Sequence, residues 1–142
     1  MRRPMIRVLA RACAAAVVAA GVLTAPAIAT PSGGGVGTTA VWCDWVASYA
    51  GAWVPARLEP FTVDCEMGRG AHSPAVEKLQ YSMNLCYGKG LRVDSDFGGA
   101  TERALKEVQR AVGAAVDGRY GPETRSKMVH QPISGSSCVR VP

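Results

Sequence analysis

One stretch of the sequence repeats itself at an offset of 23 residues, and that repeat limits the folds open to the chain. Val93-Asp94-Ser95-Asp96-Phe97-Gly98-Gly99-Ala100-Thr101 lies over Val116-Asp117-Gly118-Arg119-Tyr120-Gly121-Pro122-Glu123-Thr124, and Leu105 then falls on Met128. Valine, aspartate, an aromatic, glycine and threonine recur without a gap. Each has a mechanical role in a turn that opens a helix. The carboxylates of Asp94 and Asp117 can accept bonds from backbone N–H groups ahead of them. The next residue needs positive φ, which Gly118 supplies at little cost. Phe97 and Tyr120 plug the core where the chain enters the helix, and Gly98 and Gly121 allow a tight approach there. Pro122 suits the first helical position, and Thr101 and Thr124 can satisfy a free N–H in the first turn. We read all of these as structural turn residues. Asp94 with Asp96 resembles part of a calcium loop, but the longer ligand series ending in glutamate is absent, so no metal is assigned.

The helices around these turns follow from apolar spacing. Ser73-Pro74 gives an N-cap and a first helical position, with Glu77 in the first turn. Val76, Leu79, Met83 and Cys86 mark its buried face, and Gly88 and Gly90 end it. A second helix is expected from Gly99 to Val112, with Ala104, Leu105, Val108 and Val112 inward and Gly113 as its cap. A third begins at Pro122 and runs to about His130, because Pro132 forbids much extension. Upstream, Trp42, Trp45, Tyr49 and Trp53 recur at three to four residues, which predicts a short helix ending near Pro55. Its aromatic row would pack on the core, or alternatively stack on sugars. No segment shows sustained period-two alternation, so the fold class expected is all-α: a compact three-helix module with an aromatic N-terminal piece.

The start of the chain is a targeting segment by pattern. Arg2, Arg3 and Arg7 precede an apolar stretch from Ala12 to Leu23, and Ala27-Ile28-Ala29 supplies small residues for cleavage before Thr30. The apolar stretch is too short for an ordinary membrane span. Four of the 16 Lys and Arg lie in this segment, and all 11 Asp and Glu lie after it. The remainder carries 12 basic against 11 acidic residues, a formal +1, which leaves no basic face for a nucleic acid. We expect a signal peptide over 1–29, a flexible linker over 30–40, an aromatic extension over 41–64, the module over 65–131 and a tail over 132–142. Cys43, Cys65, Cys86 and Cys138 form an even set in an exported chain, spaced too widely for a four-cysteine metal site. Three pairings are possible from the sequence. The one we expect is Cys43–Cys65 with Cys86–Cys138, tying the aromatic piece and the tail to the module.

Leu79-Gln80, Asp94 to Gly98, Thr101, Ala104-Leu105, Val108-Gln109 and the run Val116-Asp117-Gly118-x-Tyr120-Gly121-Pro122-x-Thr124 together resemble the peptidoglycan-binding domain 1 family. The likeness covers about residues 65–130. It implies a three-helix module of the kind attached to secreted cell-wall hydrolases, and Asn84-Leu85-Cys86-Tyr87-Gly88 resembles stand-alone secreted members from actinobacteria. Ser95 stands where the first motif would have glycine, and Gly99 where it would have proline.

The leader pattern implies secretion with no membrane contact after processing, and the resemblance implies a peptidoglycan or muropeptide partner at the cell wall; we expect no cofactor and a monomer. Catalytic residues are not assigned. The chain has two histidines, His72 and His130, and no His-Glu-x-x-His cluster, while a Cys/His pair from Cys86 or Cys138 conflicts with oxidation to disulfides. Ser134-Gly135-Ser136-Ser137 forms no nucleophile elbow. A small hydrolase with an unrecognised active site and a secreted scaffold for a protein partner are the alternatives. For ligand contact the sequence offers Arg119, Tyr120 and Arg125 near one helix start, with Trp42 and Trp45 as a second possibility. In the first copy the two arginine positions are Asp96 and Glu102, so the second copy is expected to carry more of the binding. The other reading leaves both arginines solvated and Tyr120 in the core.

Overall fold

The computed structural model describes residues 40–142. The expectations for the signal peptide and for the linker up to Thr39 lie outside the described residues. Among the described residues no helix is long and apolar enough to cross a membrane. The chain runs β1 (Trp45–Tyr49), β2 (Ala52–Ala56), α1 (Pro74–Tyr87), α2 (Gly99–Val112), α3 (Pro122–Lys127), β3 (Val129–His130) and β4 (Val139–Arg140). The strands form two antiparallel pairs, β1 with β2 and β3 with β4. The fold is therefore not all-α.

The aromatic segment is where the expectation fails. Trp45–Ala56 is a β-hairpin, with Trp45 opposite Ala56, Ala47 opposite Val54 and Tyr49 opposite Ala52. Ala50 and Gly51 both have positive φ, 48° and 87°, as a two-residue hairpin turn requires. The three-to-four spacing of the aromatics does not describe one helical face. Ala52, Val54 and Ala56 alternate into a small core with Ala47, Val63 and Val141, while Trp53 turns toward α1, where Lys78 Nζ lies 6.0 Å from its ring centre. Alanine at the inward positions hid the period of two.

α1 starts as its residues dictate. Ser73 Oγ accepts from the Val76 N–H, Pro74 takes the first helical position, and Gly88 closes the helix in the left-handed conformation. Leu79, Met83, Leu105, Val108, Phe97, Tyr120 and Met128 share the main core. α3 stops at Lys127, short of the expected His130, because Met128 turns extended and the chain pairs with Val139–Arg140 instead. Cys43 is joined to Cys65 and Cys86 to Cys138.

Candidate functional site

Each helix α1 and α2 carries one glutamine in its apolar face, and each glutamine organises one copy of the repeated turn. Gln109 Nε2 donates to Asp117 Oδ1 (2.8 Å), the Arg119 carbonyl (2.8 Å) and Thr124 Oγ1 (3.1 Å), while its Oε1 accepts from the Gly118 N–H (2.9 Å). Gln80 Nε2 donates in the same way to Asp94 Oδ1 (2.9 Å), the Asp96 carbonyl (2.9 Å) and Thr101 Oγ1 (3.1 Å). Its Oε1 accepts from the N–H groups of Asp94 (3.0 Å) and Ser95 (3.2 Å). The Gln80 amide beside it, followed by the Asp96 N–H, holds the Asp94 carboxyl below its usual range. Ser95 and Gly118 occupy matching positions with φ of 63° and 75°, so the first turn keeps its shape without glycine. Sequence reasoning missed the role of these glutamines. The signal was available: an amide inside an apolar stripe has to find partners.

The segment 65–73 joins the two copies. Met67 exchanges both backbone bonds with Tyr120 (2.9 and 2.8 Å). A few residues on, the Gly70 N–H donates to the Phe97 carbonyl (3.0 Å) and the Phe97 N–H to the Ala71 carbonyl (2.9 Å). On its other side this segment fixes Trp42: the Cys43 N–H donates to the Glu66 carbonyl and the Glu66 N–H to the Val41 carbonyl, next to the Cys43–Cys65 disulfide. The indole is thus displayed from a stapled backbone at 49% exposure.

Arg119 reaches Trp42 from the second turn. Its guanidinium lies 5.9 Å from the indole centre and its Nη2 is 2.6 Å from Glu66 Oε2. Two surface cavities flank this ridge. One, of about 370 Å³, is bounded by Glu66, Asp117, Arg119, Gly121 and Glu123. The other, of about 420 Å³, is bounded by Trp42, Asp44, Arg69 and His72 with the backbone around Gly70. Both fall in the size range of small-ligand sites.

A sequence model described as "Putative peptidoglycan binding domain" matches residues 72–128. This segment belongs to the peptidoglycan-binding domain family. Among curated proteins none matches the chain.

The residues expected to contact ligand separate into two groups on this domain. Trp42 and Arg119 come together on the ridge. Trp45 lies on β1, about half exposed. Tyr120 and Arg125 are inside. Tyr120 is fully buried, and burial pushes its phenol up well beyond the usual range. Arg125, 7% exposed, donates to the Val63 carbonyl, Asp64 Oδ1 and the Pro142 carbonyl, and lies 5.8 Å from the Tyr49 ring centre. It is neither a ligand cation nor solvated: it ties three segments to α3. The turn residues Phe97, Thr101 and Thr124 are buried within the module, Pro122 opens α3, and α3 itself is six residues long, which leaves little helix dipole for an anion. Gly121 has extended φ of −155°, and a Cβ there would meet nothing nearer than Glu66 Cγ at 3.6 Å. The tight approach expected at Gly121 is absent.

Charge also departs from expectation. The cavity at the second turn holds three carboxylates against one guanidinium, and that guanidinium is already paired. At the first turn, Glu102 is shared by Lys106 (2.6 Å) and Arg69 (3.5 Å), which together hold its carboxyl below the usual range. Arg69 is the more loosely held of the two cations on Glu102. Among the described residues no group of three or more His, Cys, Asp or Glu could hold a metal.

Proposed function

We propose that this protein is a secreted, non-catalytic module that binds peptidoglycan at the cell wall through the ridge formed by Trp42 and Arg119. The family of residues 72–128 supports the ligand class, and the observation carrying the site is the exposed indole on stapled backbone between two cavities. An exposed tryptophan offers a sugar face a flat apolar partner, and the rims add charged and amide groups for the peptide. Absence of catalysis is favoured by the cysteines: Cys86 and Cys138 are spent on a disulfide, and His130 is buried with its Nε2 against the Arg125 carbonyl. Export is favoured by the two disulfides and by the leader-like pattern ending at Ala29.

Sedimentation with purified insoluble peptidoglycan tests this directly. Wild type should pellet without releasing soluble muropeptides. Trp42→Ala and Arg119→Ala, confirmed to be folded, should pellet less. Equal retention of both variants would place the site elsewhere, with Trp45 the next residue to replace, and release of muropeptides would mean that the protein is a hydrolase.

A further inference from the structure

The two cavities beside the ridge differ in charge and polarity, and that difference gives the cleft a direction. Glu66, Asp117 and Glu123 line the first, with Arg119 paired to Glu66 and Lys127 to Glu123 (2.8 Å), which leaves a formal −1. Arg69 and Asp44 line the second, a formal balance of zero, alongside His72 and the Trp42 indole. Arg69 is 73% exposed, and its bond to Glu102 is long at 3.5 Å on a carboxylate that Lys106 already holds at 2.6 Å. It is therefore free to take another anion at little loss. Arg119 has no such freedom, because its short pair with Glu66 would have to break.

Resting on the binding reading above, we propose that the cleft sorts the two chemistries of its ligand. Sugar hydroxyls and amide N–H groups lie over the carboxylate-rich cavity at the second turn, and a carboxylate of the stem peptide is received by Arg69 in the cavity at the first turn. Carboxylate oxygens accept bonds from hydroxyl and amide donors but repel an anion. The guanidinium of Arg69 offers a fork that matches a carboxylate. Trp42 forms a wall of the second cavity and touches Arg119 of the first, so a ligand crossing the ridge passes over the indole.

Three probes separate the parts: a disaccharide–peptide fragment of peptidoglycan with free carboxylates, the same fragment with its carboxylates amidated, and the peptide-free disaccharide with its lactyl carboxyl amidated. Titration calorimetry on the processed protein should give about fivefold tighter binding of the free-carboxylate fragment than of the amidated one, the size expected for one exposed ion pair. Arg69→Gln should erase that preference and leave the peptide-free disaccharide unaffected. Arg119→Gln should keep the preference. Persistence of the preference in Arg69→Gln, or its loss in Arg119→Gln, overturns the assignment while leaving peptidoglycan binding intact. If wild type neither binds any fragment nor sediments with insoluble peptidoglycan, the binding reading itself is wrong.

Discussion

Replacing Gln109 by glutamate changes one nitrogen into one oxygen and should be worse than removing the polar group altogether. In Gln109→Leu the Gly118 N–H loses its buried acceptor. The other groups retain partners, since the Arg119 N–H still bonds Asp117 Oδ1 (2.8 Å) and Thr124 Oγ1 still lies 3.4 Å from the Arg119 carbonyl. One orphaned buried donor costs about 1–3 kcal/mol. Gln109→Glu keeps the acceptor for Gly118 but puts an oxygen where Nε2 now sits, 2.8 Å from both Asp117 Oδ1 and the Arg119 carbonyl. An uncompensated buried charge facing a second carboxylate costs about 3–5 kcal/mol. For a unit near 100 residues the glutamate variant should melt roughly 12–30 °C below wild type, and the leucine variant should fall by less. The sign with pH is opposite to the usual acid effect. Folding raises the pKa of the new carboxyl above its unfolded value of about 4.3, so the lost stability returns as pH falls toward that value. Thermal unfolding of wild type and both variants from pH 7 to pH 4, read as differences from wild type at each pH, measures this. A glutamate variant no worse than the leucine variant at pH 7, or a difference that does not shrink with acid, would refute the role given to Gln109.

Three further outcomes follow from buried groups and open space. His130 is buried, and desolvation brings its pKa down to about 4 from 6.5; the unfolded chain binds the proton first, so stability should fall by about 3 kcal/mol as pH drops from 6.5 to 4, and His130→Gln should flatten that slope in denaturant titrations. Arg125→Met should destabilise by about 1–3 kcal/mol in urea unfolding by stranding the buried Val63 carbonyl, without reducing peptidoglycan retention at temperatures where the variant is folded. Gly121→Ala should stay within about 0.5 kcal/mol of wild type in the same assay, since extended backbone and a nearest neighbour at 3.6 Å leave room for a Cβ.

What could be read from the residues was what local rules decide. Ser73-Pro74, Gly88 and Gly113 bound α1 and α2 where capping chemistry puts them, and the repeat located both turns. The hairpin escaped because three of its four inward positions, Ala47, Ala52 and Ala56, are alanines, which carry no strand signal, and because Ala50-Gly51 is not a strong turn pair. For the site, the sequence supplied Trp42 and Arg119 but not their meeting, which depends on the Cys43–Cys65 staple and the backbone bonds around Glu66. Arg125 was misplaced for a different reason. A charged residue on a short helix normally faces water, and what covers Arg125 comes from segments distant in sequence, Val63–Asp64, Tyr49 and the C-terminal Pro142. Arg69 went unnoticed because nothing in the sequence brings it to Glu102, the carboxylate that it shares with Lys106.

The backbone ladder of segment 65–73 separates two kinds of boundary. The family match covers 72–128, yet the backbone hydrogen bonds that complete Tyr120 and Phe97 come from Met67, Gly70 and Ala71, upstream of it. A fragment trimmed to those limits would expose the backbone of both core aromatics, strip Met67 from the interior and separate Cys86 from Cys138. The stretch that the family model recognises is shorter than the stretch whose bonds it relies on, and moving this module into another chain means carrying the residues from Val41 onward with it.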